Sequence, residues 1–292
     1  MTAAQAAPAA GVPVRGGPRR ARLRAATERE IKDTARQLLV EHGAEGLSLR
    51  AIARGMGMTA PALYRYFPSR EDLLEHLVAD LYEEVCAALA VARDAVPAED
   101  VGGAVLAVSR TFRRWALDHP GEFGLLFGSP VGTTGPAGPD GSAGPDRSGG
   151  SDGSDGSGGS GGSAEDERGR RGPAYEASLQ FALLFGELVA RLFERRPFPV
   201  PADEDLDPGL AAQLREWADD LPLRLPLGAL QVFLSCWIRL YGAVCVEVFG
   251  HLRFAVADAG GIFEAELRSL AGLLGAADLY RPPAGDGDRP VR

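Results

Sequence analysis

From residue 31 onward the apolar positions of the chain recur at helical spacing. Ile31, Ala35, Leu38 and Leu39 stand at i, i+4, i+7 and i+8, one face of a helix that Gly43 can terminate. Thr27 and Glu30 precede it with the Thr-x-x-Glu spacing of a capping box, in which hydroxyl and carboxylate each satisfy an otherwise unpaired backbone N–H. Ser48 suits the N-cap of a second, short helix carrying Leu49, Ile52, Ala53 and Met56, and Gly57 follows where a tight turn calls for positive φ. Thr59 can cap a third helix from Ala60, with Pro61 tolerated because first-turn N–H groups have no helical partner. Leu63, Tyr66 and Phe67 face inward on it, and Pro68 ends it. Ser69-Arg70-Glu71-Asp72 then opens a fourth helix, whose face of Leu73, Leu74, Leu77, Val78 and Leu81 continues toward Ala95.

Beyond it, helical periodicity returns over 104–127, 175–195, 226–249 and 259–274, and no segment alternates like a strand. The pattern predicts an all-α protein, with an N-terminal three-helix helix-turn-helix domain over 25–72 and a helical regulatory and dimerisation domain over 73–292. Residues 1–24, rich in Ala, Pro, Gly and Arg, read as a disordered basic arm. A Gly/Ser-rich stretch, 129–173, reads as a flexible loop interrupting the second domain, and 197–208 as an irregular Pro- and acid-rich insert. The most hydrophobic window, 225–256, is broken by Arg239, Glu247 and Arg253, and its uncharged run to Ile238 is short for a bilayer, so a buried helix is expected and no membrane contact.

Charge sharpens this division. The chain of 292 residues is 45% hydrophobic and carries a net charge of -9. Residues 1–70 hold 12 Lys+Arg against 5 Asp+Glu, a local +7, which leaves -16 for the remainder. A duplex is a dense line of phosphates, so the basic end is where such a partner would dock. Three separated cysteines suggest no disulfide framework, and no apolar stretch follows the N-terminal arginines as a secretory signal would require, so a cytoplasmic protein is expected.

Two short helices joined by a Gly-containing turn and buttressed by a longer one are the helix-turn-helix arrangement, whose second short helix enters the major groove. The pattern leaves Thr59, Ala60, Pro61, Tyr64 and Arg65 facing outward on that helix, where they can touch base edges or phosphates. Arg65 can pair bidentately with guanine, a contact worth about 1–3 kcal/mol of discrimination, or hold a phosphate. Tyr64 offers a hydroxyl to the DNA backbone or packs on the first helix. Ser48 and Arg50 lie where a helix N-terminus favours a phosphate, with Ser48 also the cap. The stretches Leu47-Ser-Leu-Arg-Ala-Ile-Ala53 and Gly57-Met-Thr-Ala-Pro-Ala-Leu-Tyr-Arg-Tyr-Phe-Pro-Ser-Arg-Glu-Asp-Leu-Leu74 closely resemble the N-terminal signature of tetracycline-repressor (TetR) family regulators, over Thr27 to Leu74. The resemblance implies phosphate contacts from Tyr64, Tyr66 and Arg70. It also implies a homodimer that binds double-stranded operator DNA at a palindrome and is released by a small-molecule effector, with the last helices paired as the dimer interface.

The second half resembles the subgroup of that family with a Trp-x-x-x-His-Gly motif. Here the stretch reads Cys236-Trp237-Ile-Arg-Leu-Tyr241-Gly242, with Tyr241 in place of histidine, and Trp115-Ala-Leu-Asp-His119-Pro120 fits the subgroup's upstream helix end. Phe112, Trp115, Phe127, Phe181, Phe185, Trp237 and Tyr241 are candidates to line a largely apolar effector site, although aromatics at helical spacing equally make ordinary core. His42, His76, His119 and His251 are scattered, no Cys/His spacing suits a metal, and no Gly-rich phosphate loop is present, so no catalytic residue, metal or cofactor is expected. The alternatives are an activator or ligand-independent regulator of the same fold, an enzyme with an appended DNA head, and a structural dimer that binds DNA nonspecifically.

Overall fold

The computed structural model describes residues 17–43, 46–128 and 172–283, and every regular element among them is helical. Residues 1–16 of the expected arm and 129–171 of the expected loop lie outside the described residues. The chain divides into two compact units, Met1–Leu73 and Leu74–Arg292.

The first unit contains α1 (Gly17–His42), α2 (Leu49–Gly55) and α3 (Ala60–Leu63). Ile31, Ala35 and Leu39 of α1 are buried, as are Leu49, Ile52 and Ala53 of α2, with Leu47, Leu63 and Phe67 completing the core. Gly43 and Gly57 adopt φ of +70° and +65°, the left-handed conformation their turns require. The start of α1 corrects the sequence reading. Residues 17–24 are helical, and Thr27 caps nothing: its hydroxyl donates back to the Leu23 carbonyl at 3.1 Å. The run from Arg19 to Ala26 consists largely of Ala, Arg and Leu, strong helix formers, so the helix extends through the capping-box residues instead of starting there.

The boundary between the units falls within α4 (Arg70–Asp94), where the Ser69 hydroxyl accepts from the Asp72 N–H at 3.1 Å. The second unit continues with α5 (Val101–Asp118), α6 (Pro120–Phe123) running into a π-turn over Gly124–Gly128, α7 (Pro173–Arg195), α8 (Pro208–Asp220), α9 (Leu227–Val248) and α10 (Gly260–Leu273). The single helix expected over 104–127 is broken at His119, because the residue before a proline is pushed out of helical geometry; its φ is -131°. Pro173, expected in the loop, is the first residue of α7. The insert has no regular element over 197–207 apart from a short 3₁₀ turn at Asp203–Asp205, and α8 begins at Pro208, where no helix was predicted. Asp207 caps α8 by accepting from the Leu210 N–H at 2.9 Å. Ala211 and Leu214 form a buried cluster with Leu227 and Leu230 of α9, and Trp217 stacks on Phe233.

Phe112 of α5, fully buried, is the centre of the second core. Its ring lies 5.6–6.2 Å from those of Phe123, Phe127, Phe181, Phe185 and Trp237, which reach it from α6, the π-turn, α7 and α9. Outside this core, Arg113 pairs with Glu247 at 2.5 Å, Arg110 with Glu264 at 2.8 Å and Arg239 with Glu266 at 2.5 Å, tying α5, α9 and α10 to one another. Helix α9 is long and apolar enough to cross a membrane, a test that core helices also pass. Its charges, Arg239 and Glu247, are matched within the unit by Glu266 and Arg113.

Truncating Phe112 removes the ring on which these others converge. Phe112→Ala should lose about 3–5 kcal/mol in urea denaturation, the range for large aromatic truncations in a core. Phe254→Ala, at a position 88% exposed, should change stability by less than about 0.5 kcal/mol.

Candidate nucleic-acid interface

The chain enters α2 through extended backbone at Ser48, whose Oγ accepts from the Ala51 N–H at 3.2 Å. The hydroxyl expected both to cap and to meet a phosphate is therefore engaged as the cap, while Arg50, two residues on, is exposed. After α2 the Gly57 turn is closed by the Met58 N–H donating to the Ala53 carbonyl at 2.8 Å. Thr59 occupies the N-cap of α3, but its side chain makes no cap bond; the Ala62 N–H bonds to the Thr59 carbonyl instead. Although α3 proper has four residues, turn hydrogen bonds carry the backbone on, with the N–H groups of Tyr66 and Phe67 both donating to Leu63.

This short element separates its residues cleanly. Leu63 and Phe67 are buried, whereas Thr59, Pro61, Tyr64 and Arg65 are exposed and Ala60 is half-buried. Tyr64 is 49% exposed, which favours an outward hydroxyl over packing against α1. Among the described residues neither Arg50 nor Arg65 shows an ion pair, and both are exposed, as are Thr59 and Tyr64.

Two expected contacts have internal roles that the spacing did not reveal. Tyr66 is half-buried and covered by Arg24 of α1, whose guanidinium lies 5.5 Å from the ring centroid. Arg24 is itself held by Glu28 at 2.7 Å. Arg70 donates from Nε to the Leu47 carbonyl at 2.8 Å, tying the start of α4 to the chain entering α2. The signal for Arg24 was its place in the helix-forming run before Thr27; for Arg70, a tether across 23 residues leaves no mark in sequence.

In the second unit the aromatic candidates come together, but mostly as core. Phe112, Phe127 and Phe181 pack ring against ring around one another. Tyr241 stacks on Trp237 and donates its hydroxyl to the Phe127 carbonyl at 2.7 Å. Burial raises the Tyr241 phenol, and the same cause pushes Tyr82 up to about 12. Trp115 donates to Glu84 at 3.1 Å and stacks on His119. A cavity lies to one side, bounded by α5, α7, α9 and α10, and of the seven expected residues it is lined by Phe185 and Trp237. Its other walls include Leu106, Ser109, Cys236 and Leu279, none of which sequence reasoning singled out. Burial pushes the Cys236 thiol up to about 11, so it is a neutral, weakly polar wall.

Comparison with known proteins agrees with the first unit's architecture. Residues 31–77 match the family model of bacterial regulatory proteins of the tetR family. The chain is 44% identical over 104 residues to the HTH-type transcriptional regulators Rv1816 of Mycobacterium tuberculosis and Mb1846 of Mycobacterium bovis. That match covers 36% of this chain and 44% of each relative, so less than half of their length is spanned. A crystal structure of SCO4313, described as a regulatory protein, superposes with a TM-score of 0.58 at 29% identity, covering 86% of this chain and 98% of that one. A protein of unknown function from Rhodococcus sp. RHA1 shares the fold, with a TM-score of 0.55 at 17% identity over 90% of this chain and 98% of its own.

The two arginines should separate in a stability measurement. Arg70→Ala removes a charged donor from a part-buried carbonyl and should cost about 1–3 kcal/mol in thermal denaturation. Arg65→Ala, at an exposed position, should stay within about 0.5 kcal/mol of the parent.

Proposed function

We propose that the protein is a homodimeric transcriptional repressor that binds a palindromic operator through its N-terminal unit and is released by a small molecule taken up by its second unit. The observation that carries this reading is the surface of α3, where Thr59, Pro61, Tyr64 and Arg65 face solvent around a core locked by Leu63 and Phe67. A helix whose inner face is fully committed to its own core can present its outer face to base edges. Arg50 and Arg65 supply the charge, Ser48 and Ala60 the close backbone approach, and Tyr64 a hydroxyl to the phosphates. Tyr66 and Arg70 then act chiefly through position, the one covered by Arg24 and the other bonded to the Leu47 carbonyl.

The homodimer is supported by the outer faces of α9 and α10. Ile238, Ile262 and Leu273 are 66%, 44% and 42% exposed. A Cβ placed on Gly242, Gly261 or Gly272 would meet nothing within 4 Å. Apolar side chains beside small residues on two adjacent helices suit pairing into a four-helix bundle with a second copy. In the second unit, Tyr241 stands where the resembling subgroup has histidine, and its bond to Phe127 lets a phenol serve as the polar tip. The effector is largely apolar, since the cavity walls are, and it acts by binding more tightly to a state that fits the operator poorly. The protein works where its operator is, in the cytoplasm.

Selection of bound sequences from a random duplex pool by the purified protein tests the reading. The parent should enrich one palindrome, and a Tyr64→Ala, Arg65→Ala variant with unchanged melting temperature should fail to enrich it. Enrichment of no sequence by the folded parent, with an affinity that simply falls as salt rises, would leave a nonspecific structural dimer in its place.

A further inference from the structure

Between α5, α7, α9 and α10 the second unit encloses a cavity of about 50 Å³. No charged side chain lines it. Leu106, Leu188, Trp237 and Leu270 form its helical walls, and Ser109, Cys236 and Tyr280 are its few polar residues. Organic ligand sites run to several hundred Å³, and even a benzene site engineered into a protein core measures about 150 Å³. As it stands, the space holds no more than a few atoms. What limits it is the segment that follows α10, whose Ala276, Leu279 and Tyr280 close one side.

That segment is built unlike the other walls. It leaves α10 through Gly275, at φ +63°, and forms a single 3₁₀ turn, Ala277–Leu279. Leu279 is seated on the backbone of Gly102: a Cβ at Gly102 would come within 2.6 Å of Leu279 Cδ1. Glycine in the first turn of α5 costs about 0.5–1 kcal/mol against alanine, so the helix gives up stability to admit this leucine. Polar groups on the outside hold the turn down. The Tyr280 hydroxyl donates to Glu264 Oε2 at 2.8 Å, and Arg110 Nη2 donates to Glu264 at 2.8 Å and to the Arg281 carbonyl at 2.7 Å. Burial pushes Glu264 up, but the bonds from Arg110 and Tyr280 outweigh it and hold the carboxyl below its usual range. Arg196 reaches Asp278 at 2.8 Å, and Arg268 lies 4.6 Å over the Tyr280 ring. The Arg196–Asp278 pair is exposed and contributes little, and a single 3₁₀ turn has no helical hydrogen-bond ladder behind it, so this segment opens more easily than the packed helices around it.

We propose that the cavity is a binding site for an uncharged alkyl chain, and that residues 276–280 are a displaceable plug in which Leu279 occupies the place the ligand takes. This deepens the effector reading, on which it rests, by naming the ligand's class and its way in. Moving Leu279 aside joins the cavity to the space its isobutyl group filled and leaves apolar walls from four helices to receive hydrocarbon. A carboxylate is disfavoured because no cation lines the cavity, and of the two that lie over the ring of Tyr280 at its rim, Arg110 is already paired bidentately with Glu264.

The test uses the full chain without DNA and two probes of equal length, 1-octanol and octanoate, followed by tryptophan fluorescence. Octanol should give a saturable change that disappears in Trp237→Phe, and octanoate should bind at least about ten-fold more weakly, the penalty for burying a charge without a partner. Leu279→Ala, by emptying the plug, should bind octanol at least about five-fold more tightly, about 1 kcal/mol. In the unmodified chain, hydrogen exchange of the amides of residues 276–281 should quicken when octanol is bound. No saturable response in either protein, equal affinity for the two probes, or exchange that is unchanged or slowed would overturn the proposal. Adding octanol to the operator complex then tests the effector reading separately: a probe that binds as described yet leaves the DNA complex intact supports the site and refutes release.

Discussion

The position of α5 is the constraint on which the second unit depends, and Phe112 fixes it. The ring touches aromatic partners from four other segments at once, so α6, the π-turn, α7 and α9 are each located relative to α5 by a contact with the same side chain. Aromatic pairs add about 0.5–1.5 kcal/mol beyond the area they bury, and five of them on one ring make it hard to move. Other faces of the same helix then do different work. Arg110 and Arg113 project to glutamates on α10 and α9, and Gly102, Leu106 and Ser109 form a wall of the cavity. Core, ion pairs and cavity are thus three surfaces of one helix, and a shift of α5 would disturb all of them together.

The same economy governs the first unit on a smaller scale. With so few residues in α3, burial of Leu63 and Phe67 alone decides which side chains face out. The Gly57 turn sets the direction of the helix, and Arg70 fastens the following helix to the chain before α2. Each residue that shapes the unit is turned inward or tied to backbone, which leaves Arg50, Tyr64 and Arg65 exposed.

Much of this was legible in the sequence. Apolar spacing gave the inner faces of the first four helices, because in short helices with a shared core the i, i+3, i+4 pattern has one solution. Gly57 was legible because a left-handed turn excludes most other residues. The start of α1 was not: Thr27 and Glu30 have the spacing of a cap, but a cap forms only where helical propensity upstream is weak, and here Arg and Ala carry the helix back to Gly17. Helix α8 begins at the last residue of the acidic, proline-rich insert and was not predicted, although Leu210, Ala211, Leu214, Trp217 and Ala218 have helical spacing and Asp207-Pro208 is a good start. The cavity was sought among aromatics and found beside them. Large flat rings close-pack on one another, and space remains where small and aliphatic residues such as Gly102, Ser109, Ala271 and Ala276 meet.

The central claim, that two copies of the N-terminal unit read a palindrome, is tested most directly by hydroxyl-radical footprinting on the enriched duplex. The account predicts two protected patches on one side of the helix, related by a dyad and centred about 34–36 Å apart, one turn of DNA. Protection by a single patch, or evenly along the duplex without a dyad, would contradict it.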